Sequence, residues 1–120
     1  MYELDDKKYD FERITTADAL KVKSMMMILA NEKSSIEDLE KANETLDRLA
    51  LKYLTVENNG EWLTNIDDYT FKALFSNQLA IIEISAKFQE RIRDFLASLP
   101  TFQVGNPTVN HSKWSILPTL

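Results

Sequence analysis

Residues Asn77 to Leu99, NQLAIIEISAKFQERIRDFLASL, carry the longest uninterrupted helical pattern in the chain, and the remainder reads as an arrangement that covers its apolar side. The steps from Ile81 through Ile84 or Ser85, Phe88, Ile92 and Phe95 to Leu99 follow the three-and-four spacing of one helix face. Glu83, Lys87, Glu90, Arg91 and Asp94 fall mostly elsewhere, with Glu83 and Lys87 spaced as an i,i+4 pair on a solvated side. At a rise of 1.5 Å per residue the helix would span about 34 Å, the width of a small domain. With Ile82 and Leu96 on its flank, the stripe is wide enough to bury against two neighbours, for which the next two helices upstream are the candidates.

Those helices announce themselves by their starts. Thr15 and Thr16 precede an Ala-rich periodic run, with Asp18 placed to complete a capping box. The first helix then uses Ala19 or Leu20, Val22, Met26 and Leu29, and its run Met25-Met26-Met27-Ile28-Leu29 makes more than one face apolar. Methionine fills irregular cores and also recurs at adaptable binding surfaces, so core packing is the preferred reading while Met25, Met26 and Met27 stand as partner-contact candidates. After a turn at Asn31 to Lys33, Ser34 and Glu37 form a second capping-box signature. A second amphipathic helix follows, with its stripe at Ile36, Leu39, Leu46, Leu49, Ala50, Tyr53 and Leu54.

Three stretches connect or precede the helices. Residues Met1 to Ile14 read either as a short hairpin turning at Asp5-Asp6-Lys7-Lys8 or as an extended arm that lays Tyr9 and Phe11 on the helices. Asn59-Gly60 within Thr55 to Asn65 is the strongest turn signal, predicting a loop or small hairpin pinned by Trp62 and Leu63. Trp62 is also a partner-contact candidate, since a large aromatic beside a turn has two uses. Asp67 or Asp68 caps a short helix through Tyr69, Phe71, Leu74 and Phe75, which ends near Asn77 or continues with a kink into the long helix.

All three prolines lie at or after Pro100, so the first hundred residues are nearly free of helix breakers and Pro100 stops the long helix. From Thr101 to Leu120 there is no helical or strand period, and the segment reads as an extended tail in which Trp114 is the aromatic candidate for contacting a partner. The expected fold is therefore mainly α: a bundle of three to four helices over residues 1–100, with a short N-terminal β-hairpin or arm, and a tail over 101–120.

Composition limits the function. A chain of 120 residues with a net charge of −5 has no basic stripe to neutralise phosphates, which argues against nucleic acid and toward protein partners, a second copy of the chain among them. There is no cysteine, and His111 is the single histidine, so neither a thiolate nucleophile, a histidine triad nor a metal centre is assembled. Two glycines make no phosphate-binding loop, and the adjacent Asp67 and Asp68 diverge, which leaves capping as their use. The expectation is a non-enzymatic protein with no cofactor and no metal. No apolar run approaches the roughly 18 residues of a membrane span, and the acidic start is no signal peptide, so no membrane association and a cytoplasmic location are expected.

The segment leading through ITTADAL into a helix, the middle segment ending YLTVENNGEWL, and the late helix with LAIIEISAKFQERIRDFL together cover Tyr9 to Leu99. In that order they resemble the small tail assembly chaperones of long-tailed bacteriophages and prophages. The resemblance implies a mostly helical protein of the host cytoplasm that binds and solubilises the tape-measure protein, recruits tail-tube subunits, and leaves the finished tail. The alternative is a structural virion or connector component, or another small interaction module that stays in its assembly.

Overall fold

The computed structural model describes residues 1–99, and the expectations for Pro100, for the tail, for His111 and for Trp114 lie outside them. The chain runs as a strand pair, two helices, a second strand pair and two more helices. These are β1 (Tyr2–Leu4), β2 (Lys7–Phe11), α1 (Thr16–Ala30), α2 (Ile36–Tyr53), β3 (Leu54–Asn58), β4 (Glu61–Leu63), α3 (Asp68–Leu74) and α4 (Ala80–Ala97). The fold is mainly α, but the expectation of a helical bundle is corrected: the four strands form one antiparallel sheet in the order β1-β2-β3-β4.

Both hairpins form because their two-residue turns accept positive φ at both central positions, as a type I′ turn demands. Asp5 and Asp6 stand at φ 51° and 62°, and Asn59 and Gly60 at 53° and 85°. The first turn is thus tighter than the four residues expected, and Lys7 and Lys8 already belong to β2. The pairing of Tyr9 with Val56 and of Phe11 with Leu54 then joins hairpins that are far apart in sequence. Alternation sends Tyr9, Phe11, Leu54 and Val56 toward the helices, all of them buried, while Glu3, Lys8, Glu57 and Trp62 take the opposite parity.

Facing the sheet, α4 packs against both α1 and α2, the neighbours expected for it. Ala80, Ile84, Ser85, Phe88 and Ile92 are buried along it. Phe88 lies 5.1 Å from the ring of Phe11 and 6.1 Å from that of Tyr53, so one side chain bridges sheet, α2 and α4. Ile82, by contrast, is 63% exposed, because the sheet occupies the side of α4 where a further helix would have covered that flank.

Several local readings shift by a residue or a partner. α2 is capped by Ser35, whose hydroxyl accepts the N–H of Asp38, while Ser34 instead donates to the carbonyl of Ile28 and closes the end of α1. Ile36 consequently falls at the first helical position and is exposed, and Leu54 leaves the helix to begin β3. α3 and α4 are separate, with Asp67 as the α3 cap, and α4 begins at Ala80 because Asn77 accepts the N–H of Leu79 outside the helix. Lys87 turns to Glu90 at 3.7 Å, rather than Glu83, and lies over the ring of Tyr2.

A candidate protein-binding groove

The outward side of α2 and the short α3 leave a space between them. α2 buries Ala42, Leu46, Leu49, Ala50 and Tyr53, which turns Glu40, Glu44, Arg48 and Lys52 away from the core. Ile66 ahead of α3, and Phe71, Leu74 and Phe75 along its inner side, root the opposite wall in the core, with the rings of Phe71 and Phe75 5.1 Å apart. Between these walls lies an open groove of about 1490 Å³. Small-molecule sites occupy roughly 300–1,000 Å³ and are enclosed, so this space suits a polymer segment better than a metabolite.

The groove has an apolar floor of Leu51, Ile66, Phe71, Phe75 and Ile81. Its rim is of mixed sign with an acidic excess: Glu40, Glu44, Asp47, Asp67 and Asp68 stand with Asp18, against Lys21, Arg48, Lys52 and Lys72. Part of that charge is already committed. Asp18 Oδ2 accepts hydrogen bonds from Lys52 Nζ at 2.8 Å and from the Tyr53 hydroxyl, and these two donors hold its carboxyl below the usual range. Asp67 is spent on the N–H of Thr70 at 2.7 Å. Asp47 shows the opposite behaviour, since burial raises its pKa and a hydrogen bond from Ser85 offsets only part of that. Glu40, Glu44 and Asp68 are exposed and remain as the acidic groups presented outward.

The residues expected to meet a partner do not gather here. Met25 and Met26 are half-buried against the core, while Met27 is 48% exposed on the outer side of α1, seven residues from the similarly exposed Leu20. The reading of Trp62 as an anchor is corrected: it is 43% exposed on β4 opposite Glu57, and its neighbour Leu63 does the packing. Strand alternation explains this, because only one of two consecutive residues can face the core. The groove itself was missed in the sequence, where its one signal is Phe71 and Phe75 at i,i+4 on a helix too short to stand alone.

Among the described residues, no group of three or more His, Cys, Asp or Glu is arranged to hold a metal ion, and no helix is long and apolar enough to cross a membrane. Comparison with family models, with curated proteins and with solved structures returns no match.

Proposed function

We propose that the protein is a non-enzymatic assembly chaperone of the phage-tail type, which holds a helical stretch of the tape-measure protein in the α2–α3 groove and keeps it soluble during assembly. The observation that carries this reading is the groove's combination of apolar floor and charged rim along α2, a helix of 18 residues and about 27 Å. Helix-in-groove recognition works by such a surface: an apolar stripe enters, and rim charges set orientation. The exposed Met27 and Leu20 extend the apolar surface on α1. The sequence likeness to tail assembly chaperones supplies the client's identity, tail-tube subunits being the second expected partner.

Co-expression with a candidate tape-measure protein tests it. The chaperone reading expects the client to move from the insoluble to the soluble fraction, to co-purify with this chain, and to lose both properties when Phe71 or Ile81 on the groove floor is replaced by a charged residue in a variant that still melts cooperatively. It also expects the chain to be absent from finished particles. Recovery at fixed stoichiometry in finished particles would instead make the protein a structural component.

A further inference from the structure

The chain outside the described residues has a chemistry that the groove matches. All 19 acidic side chains lie at or before Asp94, so residues 1–99 carry 13 basic against 19 acidic groups. Residues 100–120 carry no acid at all, and within them His111-Ser112-Lys113-Trp114-Ser115-Ile116-Leu117 sets one cation beside three large apolar side chains. The groove offers the complement, an apolar floor bordered by the exposed carboxylates of Glu40, Glu44 and Asp68. We propose that the segment His111–Leu117 seats in the α2–α3 groove of its own chain, with Trp114 and Ile116 on the floor and Lys113 at the α2 rim.

Reach permits this. Ile81, in the first turn of α4, lines the groove, and the 18 residues of α4 cover at most about 27 Å between that point and the helix end. The 14 residues from Leu99 to Lys113 span up to about 46 Å when extended. A short tether also supplies an effective concentration on the order of millimolar, so a segment with weak intrinsic affinity fills the groove for much of the time. The segment then acts as a built-in competitor that any client must displace, lowering the client's apparent affinity by the fraction of grooves left open. That regulatory meaning rests on the proposed function, whereas the docking itself does not.

The test uses the full chain without a client. Trp62→Phe leaves Trp114 as the single tryptophan, and its quenching by acrylamide is compared in buffer and in urea. The proposal expects Trp114 to be shielded several-fold in buffer, independently of protein concentration. Ile116→Asp, which lies outside the folded core, should return it to the accessibility seen in urea. Glu40→Lys combined with Glu44→Lys should also raise accessibility while the helical circular dichroism stays unchanged. If Trp62→Phe alters the melt, fluorotryptophan labelling of the unaltered chain resolves both indoles by fluorine NMR and reads the same effects. The proposal is overturned if Trp114 is as accessible in buffer as in urea, or if shielding grows with protein concentration, which places the segment on a second copy. Shielding that survives the Glu40 and Glu44 reversals overturns it too, since the segment then lies on another surface. None of these outcomes touches the co-expression test.

Discussion

The hydroxyl of Tyr53, at the end of α2, donates to the carboxylate of Asp18 in the first turn of α1, and the same carboxylate takes Lys52 Nζ at 2.8 Å. Thr15, the α1 cap, lies 3.2 Å from the Tyr53 oxygen, so the cap and the tie share one network. Tyr53→Phe keeps the ring stacked on Phe88 and removes only the hydroxyl. A loss of about 0.5–1.5 kcal/mol in urea unfolding is expected, the net worth of a hydrogen bond of this kind.

Asp18 gives that network an acid limit. Its pKa is lower folded than unfolded, so the unfolded chain binds the proton first and the stabilisation is complete only above the ordinary carboxylate pKa. It fades as the pH falls through the lower folded value. Asp18→Asn should therefore destabilise at pH 7 and converge with the parent in acid, read as Tm against pH.

Asp47 should do the reverse. Burial raises its pKa, so folding at neutral pH is opposed by keeping a charge beside α4, and protonation relieves this as the pH falls through the raised value. Asp47→Asn retains an acceptor for Ser85. It is expected to raise Tm at pH 7, with the gain vanishing at low pH; a lower Tm at pH 7 would show that the charge is needed where it stands.

Phe88 has no exposed surface and touches rings from β2 and α2. Phe88→Ala should cost about 3–5 kcal/mol, the range for truncating a buried aromatic. A loss below about 1 kcal/mol in denaturant titration would mean that the centre of the core lies elsewhere.

At the alkaline end the limiting group is Tyr9, 1% exposed, whose phenol burial pushes up to about 12, with Glu83 and Tyr2 adding to the effect. The unfolded phenol ionises near 10, so the protein should lose stability as the pH rises from about 10 to 12. Tyr9→Phe is expected to flatten that part of the stability curve.

Helices were legible where the apolar period was long and the cap chemistry sharp: Thr15 before α1, Asp67 before α3, and Phe88 at the centre of α4. The sheet was legible only in halves. Asp5-Asp6 and Asn59-Gly60 each mark a local turn, but the pairing of Tyr9 with Val56 is a long-range choice that no local period encodes. Trp62 misled because hydrophobicity alone does not say which side of a strand a residue occupies. The groove was invisible for a related reason, being bounded by the wet side of α2 and by an α3 whose seven residues depend on tertiary anchoring.

The β2–β3 pairing carries a kinetic consequence. Phe11 and Leu54 meet across the whole α1–α2 segment, and closing so long a disordered loop costs entropy before any strand contact repays it. A helical hairpin that forms first, tied at its ends by Asp18 and Tyr53, brings the two strands together in advance. Substitutions at that tie should then slow folding, whereas substitutions in β4, added last at the sheet edge, should mainly speed unfolding.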